Sequence, residues 1–276
     1  MRAARARAKC SLAAKRCVLT ALKYRNRTLK PTASITSRQL IAAARTLSAR
    51  VEPLKFCPPV THTYNPLTYA WSAHAEYLRR FGGHRKRVVF LGMNPGPFGM
   101  AQIGIPFGEI AAVRDWLGIC TPISQPAQVH PKRPILGFAC PRSEVSGRRF
   151  WKLCAERFGT PEKFFAEHFV VNYCPLAFCE ASGRNQTPNQ LPRAERDRLF
   201  AICDEHLCRV LAILQPEWLI GIGGFARERG ELVAASLKLP LRVGQILHPS
   251  PASPKANRHD WTKTATQELV QLGVWS

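Results

Sequence analysis

Four short apolar runs constrain the fold of this chain more than any other feature. They are Arg87–Gly92, His168–Asn172, Trp218–Gly223 and Arg242–Leu247. Each is rich in Val, Ile, Leu or Phe, without strict apolar–polar alternation. A half-wet strand alternates; a strand of a parallel sheet covered on both faces does not. Helical patterns lie between the runs, at Phe150–Arg157, Pro192–Leu214 and Arg227–Leu237. The clearest is Pro192–Leu214, with a proline at its start and Pro216 just past its end. Strands alternating with helices predict an α/β fold.

The residues just after each run are the chemically interesting ones. The first run opens into Gly92-Met93-Asn94-Pro95-Gly96-Pro97-Phe98-Gly99-Met100, and the second into Asn172-Tyr173-Cys174-Pro175. The third leads through Gly221-Ile222-Gly223-Gly224, and the fourth into His248-Pro249-Ser250-Pro251. Ligands of open parallel sheets bind outside the carboxyl ends of the strands. Asn94, Asn172, a glycine loop and His248 should therefore line one cleft.

The chain lacks GxxxxGK[ST] and a nucleophile elbow, and the glycines at 221–224 do not complete GxGxxG. Those glycines read as room for a helix to start close to the sheet, or for a phosphate at its end. An amide at Asn94 could orient a water but is no strong base. The amide of Asn172 has both donor and acceptor and suits a base edge. A neutral His248 could donate to an oxygen that gains negative charge. Each residue also has an ordinary use, as a turn-capping Asn or a core His bonded to backbone.

Charge narrows the partner. Residues 1–51 hold 13 Lys and Arg and no acid, leaving 27 basic residues against all 18 acidic ones from Glu52 onward. Both parts are basic, which points to a polyanion such as nucleic acid. Within the last strand-end loop, Lys255 and Arg258 could meet phosphates. The first 35 residues read as a basic tail, of a composition that fits a mitochondrial presequence or a nuclear or DNA-tethering arm. A short helix at 37–49 follows, then a linker with Pro53, Pro58 and Pro59; a further helix is expected at Thr68–Phe81.

Residues 88–108 are uncharged, but three prolines and five glycines exclude a continuous lipid-facing helix. The ten cysteines form no CxxC and match no nearby histidine pair at zinc spacing, so buried thiols in a reducing compartment are expected and no metal site.

Taken together, the motifs resemble the single-strand-selective monofunctional uracil-DNA glycosylases of the uracil-DNA glycosylase superfamily. The carrying segments are Tyr64–Trp71 (YNPLTYAW), Gly92–Gly108 (GMNPGPFGMAQIGIPFG), Val113–Gly118 (VRDWLG) and His130–Pro134 (HPKRP). They continue with Cys140–Trp151 (CPRSEVSGRRFW), Asn172–Pro175, Ser182–Thr187 (SGRNQT) and His248–Asn257. The resemblance runs from about residue 62 to 273, so residues 62–276 are expected to form the glycosylase domain.

The resemblance implies a three-layer α/β/α sandwich around a four-stranded parallel sheet. It implies hydrolysis of the N-glycosidic bond of uracil in single- and double-stranded DNA, without cofactor or metal, by a monomer. By position, Asn94 would orient the attacking water and His248 would stabilise the departing base. Phe107 would stack on the extruded base, and Asn172 would pair with its edge. Gly96 and Met100 would line the side facing C5, leaving room for C5-oxidised uracils such as 5-hydroxymethyluracil. Pro249, Ser250, Pro251, Ala252, Ser253, Pro254, Lys255 and Arg258 would belong to a wedge entering the duplex.

The wedge carries Ala252-Ser253 where relatives show Arg-Asn, a loss that bears on duplex activity more than on base cleavage. The resemblance points to the nucleus, the tail composition to the mitochondrion. Two other readings fit the same scaffold: a binding protein without turnover, and a glycosylase acting on another deaminated base.

Overall fold

The computed structural model describes residues 33–276 apart from 238 and 259. The basic tail over residues 1–32 lies outside the described residues, as do the targeting expectations attached to it.

The four apolar runs form the strands β2 (Val88–Gly92), β3 (His168–Asn172), β6 (Trp218–Ile222) and β7 (Arg242–Ile246). They make one parallel sheet in the order β3-β2-β6-β7. Register aligns Phe90 with Val170 and Ile220, and Val89 with Phe169 and Leu219. Alternate residues point to opposite faces, so these two rows define the two sides of the sheet.

On one side, Phe90 packs edge-on against Phe150 of the helix α5 (Val145–Phe158) and stacks near Phe164 of α6 (Pro161–Glu167). Gly244 leaves room there for Leu272, which ends α10 (Trp261–Gln271). On the other side, Phe169 meets Tyr77 of α3 (Trp71–Phe81), and Leu219 fits against Gly230 of α8 (Gly224–Ser236). Helices on both faces give the expected three-layer α/β/α sandwich.

The glycine run at 221–224 brings α8 close to its strand. A Cβ on Gly221 would lie 2.3 Å from the Arg227 backbone nitrogen. The long helix α7 (Arg193–Leu214) ends on Gln215 in a left-handed conformation, just before Pro216.

The early helix α1 runs Ile35–Val51, two residues longer at each end than the spacing predicted. The Ser34 hydroxyl starts it by accepting from the Ser37 N–H at 3.1 Å. Its Leu40, Ala44, Leu47 and Val51 are buried in the main core, with α7 and α3 as neighbours. The helix expected at 68–81 is two helices, α2 (Pro66–Tyr69) and α3, with Ala70 between them. Gly104, at φ +74°, packs closely on Ala70 and fixes the break.

Two further parts follow no run of the kind read above. One is a small antiparallel sheet of β1 (Val60–Tyr64), β4 (Ala177–Glu180) and β5 (Asn185–Gln186), in the order β1-β4-β5. The other is α10. No helix among the described residues is long and apolar enough to cross a membrane. Cys154, Cys174, Cys179 and Cys203 are buried free thiols, and no group of three or more His, Cys, Asp or Glu among the described residues is placed to hold a metal ion.

Candidate functional site

A cleft of about 540 Å³ opens at the carboxyl ends of the parallel strands. Asn94, Gly96, Met100, Phe107, Asn172, His248, Ser250 and Pro251 all line it. Asn94 and His248, 154 positions apart, are brought together by the sheet, since β2, β3 and β7 each deliver one polar side chain to the same end.

The loop after β2 carries Asn94. The loop is tied to the strand next door, where Tyr173 donates to the Gly92 carbonyl and Cys174 to the Met93 carbonyl, both at 2.9 Å. The Asn94 amide donates from Nδ2 to the Leu176 carbonyl at 3.2 Å. That bond fixes the rotamer and leaves Oδ1 without a partner among the described residues.

Asn172 ends β3 and lies over Gly92. A Cβ on Gly92 would stand 2.2 Å from Asn172 Oδ1 and 2.7 Å from Phe107 Cε2. Gly92 is therefore glycine because an amide and an aromatic ring share the space above it. The Asn172 Nδ2 donates to Met100 Sδ at 3.2 Å, so Met100, at the start of α4 (Met100–Ile103), steadies the same amide.

Phe107 is held against its preference. Its φ is +52°, a left-handed conformation costly for a residue with a bulky side chain. Its ring stacks on Phe150 with centroids 5.0 Å apart, and its carbonyl accepts from the Trp151 indole N–H at 2.9 Å. Gly147 allows this approach, since a Cβ there would meet the Phe107 oxygen at 2.2 Å. The motif CPRSEVSGRRFW thus supplies a seat for Phe107 through Gly147, Phe150 and Trp151.

His248 follows β7 in the chain. The Ser250 N–H donates to its Nδ1 at 3.1 Å, which places the ring proton on Nε2. Loss of water contact pushes its pKa down from 6.5 to about 4, so the imidazole is neutral near pH 7. The cleft therefore holds an N–H donor with no positive charge. Gly223, at φ +91°, gives the His248 side chain room, with a Cβ position 3.1 Å from His248 Cβ. The chain before His248 is pinned by α10: Leu247 donates to Glu268 at 2.7 Å, and its carbonyl accepts from the Trp261 indole at 2.8 Å.

The segment after His248 is not the continuous loop expected. Pro254–Arg258 forms a short helix, α9, seated by the buried Ala256. Proline is well tolerated in a helix's first turn, so Pro254 starts the helix instead of continuing the strand-end loop. Ser250 and Pro251 face the cleft, Ala252 and Arg258 are exposed, and Lys255 sits within α9. Pro249 is fixed through its carbonyl, and Ser253 donates to the Ser250 carbonyl at 3.0 Å.

Sequence reasoning assigned no role to two residues that matter here. Arg149 of α5 donates to the Pro249 carbonyl at 2.9 Å and to Asn257 Oδ1 at 3.0 Å. Asn257 in turn donates to the Pro251 carbonyl at 2.6 Å, so one guanidinium clamps both ends of the segment. Glu144 packs against Gly96 and Gly99, where Cβ atoms would meet its carboxyl group at 2.4 Å and its Cγ at 2.9 Å. Burial pushes its pKa up, opposed by hydrogen bonding from Ser146, and it presents a carboxyl to the cleft wall. Both lie within CPRSEVSGRRFW, but nothing in that string says which side chains turn toward the cleft.

The family model of the uracil DNA glycosylase superfamily matches residues 80–270, and the chain belongs to that superfamily. Within it, the chain is 48% identical over 228 residues to the single-strand selective monofunctional uracil DNA glycosylase of Mus musculus, covering 83% of this chain and 81% of that protein. The Bos taurus protein of the same name is 47% identical over 228 residues, covering 83% and 84%. The crystal structure of wild-type Pedobacter heparinus SMUG2 shares the fold, with a TM-score of 0.59 at 17% identity, covering 84% of this chain and 97% of that one.

Proposed function

We propose that this protein is a monofunctional DNA glycosylase that extrudes a uracil nucleotide and hydrolyses its N-glycosidic bond. The observation that carries the proposal is the neutral His248, with its Nε2–H free, in one cleft with Asn94, Phe107 and Asn172.

The chemistry follows from charge. Breaking the C1′–N1 bond leaves positive charge on the sugar and negative charge on the base. A preorganised donor at the base oxygen lowers that barrier by roughly 3 kcal/mol, the worth of a typical oxyanion donor. A cation-like sugar needs little push from its nucleophile, so a water oriented by Asn94 Oδ1 suffices. The nucleotide must leave the stack before any of this happens. Phe107, rigidly seated on Phe150, offers the extruded base a face.

Asn172 supports the choice of base. Its oxygen can accept from the uracil N3–H while its nitrogen donates to O4. Cytosine reverses that pattern and would leave buried polar groups unpaired, a strong basis for rejection. Gly96 and Met100 line the cleft wall, with the Glu144 carboxyl in the space a Gly96 side chain would fill, and this polar wall supports acceptance of C5-oxidised uracils including 5-hydroxymethyluracil. The Arg149-clamped segment supports activity on duplex as well as single-stranded DNA, as the wedge that replaces the departing base.

The test is release of free base by purified protein from single-stranded and duplex oligonucleotides, with chelator present. Uracil and 5-hydroxymethyluracil should be released. Turnover of only hypoxanthine or xanthine would move the activity to another deaminated base, and binding without any release would leave a non-catalytic scaffold.

A further inference from the structure

Phe98 stands half-buried on the wall of the cleft, in the loop between β2 and α4. The Arg142 guanidinium lies 3.9 Å from its ring centroid, and the Arg133 guanidinium 5.1 Å. Two cations therefore share one ring. An aromatic ring attracts a cation, but it does not remove the repulsion between two guanidinium groups.

No ion pair among the described residues joins Arg133 or Arg142 to a carboxylate, although the chain forms such pairs readily elsewhere. Glu144, two positions from Arg142, packs on Gly96 and Gly99 instead. The basic strip continues away from the cleft. Arg133 donates from Nε to the Gly183 carbonyl in the turn between β4 and β5, and exposed Lys132 packs on the same glycine. An exposed flat guanidinium on an aromatic ring, with a row of unneutralised cations beside it, is suited to an unstacked base and its phosphates.

We propose that the Phe98–Arg142–Arg133 strip is a second nucleotide-binding surface, taking the single strand that flanks the extruded nucleotide. Arg142 and Arg133 meet its phosphates, and the flanking base stacks on the Phe98–Arg142 shelf. The choice of DNA as the polyanion rests on the glycosylase reading above. Duplex is disfavoured because its bases are already stacked and present no free face. The strip borders the same cleft as the segment after His248 but lies on its β2 wall, while that segment leaves from β7 at the sheet edge, two strands from β2.

The experiment uses the full chain and an oligothymidylate with one abasic-site analogue, titrated from low to moderate salt. Arg142→Gln should reduce the magnitude of the log–log salt slope by about 0.7, the single-strand value for one lost phosphate contact. Phe98→Leu should weaken binding about tenfold through lost stacking. Arg242→Gln removes an equal charge at the opposite end of the sheet and should leave the slope at the wild-type value.

A slope unchanged by Arg142→Gln, or reduced equally by Arg242→Gln, overturns the phosphate contact. Wild-type affinity in Phe98→Leu overturns the stacking. Uracil release by wild type, with uracil in place of the analogue, is read separately. Its absence sinks the glycosylase reading while the slopes still decide the strip.

Discussion

Gly92→Ala should cripple the site without touching any group that does chemistry. The added Cβ would stand 2.2 Å from Asn172 Oδ1 and 2.7 Å from Phe107 Cε2. Ordinary contact begins near 3.4 Å, so the amide must retreat by about 1.2 Å and the ring by about 0.7 Å. The ring cannot yield easily. It is stacked on Phe150, and its backbone is fixed by Trp151 and by the close approach of Gly147. Asn172 must move in any case, breaking its bond to Met100 and leaving the position that suits a uracil edge.

A misplacement of about 1 Å in a preorganised site costs roughly 100-fold, or about 2.7 kcal/mol. Overpacking a central strand should also lower stability by about 1–3 kcal/mol. Single-turnover uracil release at saturating single-stranded substrate, with circular dichroism to confirm folding, reads the first effect. Gly230→Ala is the control, because its Cβ would press on Leu219 Cδ2 at 2.9 Å, in the core and outside the cleft lining. It should destabilise comparably and leave the folded protein active. A folded Gly92→Ala with wild-type rate would refute the claim that Asn172 and Phe107 are held in place across Gly92.

Three other outcomes follow from the same structure. His74, His168 and His248 are held down to a pKa of about 4 by burial, against an ordinary 6.5. The unfolded chain takes up these protons first, so stability is full above about pH 6.5 and falls until about pH 4. Each histidine costs about 2 kcal/mol by pH 5, and a urea midpoint equal at pH 5 and pH 7 would contradict this. Activity resting on neutral His248 should have its acid limb near pH 4 rather than 6.5, as a pH–rate profile on folded protein would show. Arg149→Met removes two hydrogen bonds that clamp the segment after His248. It should reduce duplex release about tenfold more than single-strand release, since a charged hydrogen bond is worth about 1.5–3 kcal/mol; an unchanged ratio would contradict a wedge role.

The parallel sheet was readable because its strands are covered on both faces and so appear as unbroken apolar runs. The same logic brought Asn94, Asn172 and His248 to one end, since each follows or closes such a run. β1 was not readable that way: its sequence VTHTY alternates, and it pairs with β4, more than a hundred residues away. Arg149 and Glu144 were hidden for a different reason. Their importance lies in which carbonyl or glycine they touch, and those partners come from distant loops. The segment at 254–258 was misread because proline serves a rigid loop and a helix's first turn equally well. Phe107 could be placed only through resemblance, because its left-handed backbone is imposed by Gly147 and Trp151 rather than by its neighbours in sequence.

The central claim is that Asn94 and His248 carry glycosidic hydrolysis in this cleft. Single-turnover release of uracil from a single-stranded oligonucleotide, with chelator present, should be measured for wild type, Asn94→Ala and His248→Leu. Wild type should release uracil, and His248→Leu should be slower by about 100- to 1000-fold, the loss expected for one transition-state donor. Asn94→Ala should fall by a similar order while both variants keep their fold and bind abasic DNA. Wild-type rates in either folded variant, or no release by wild type, would contradict the account.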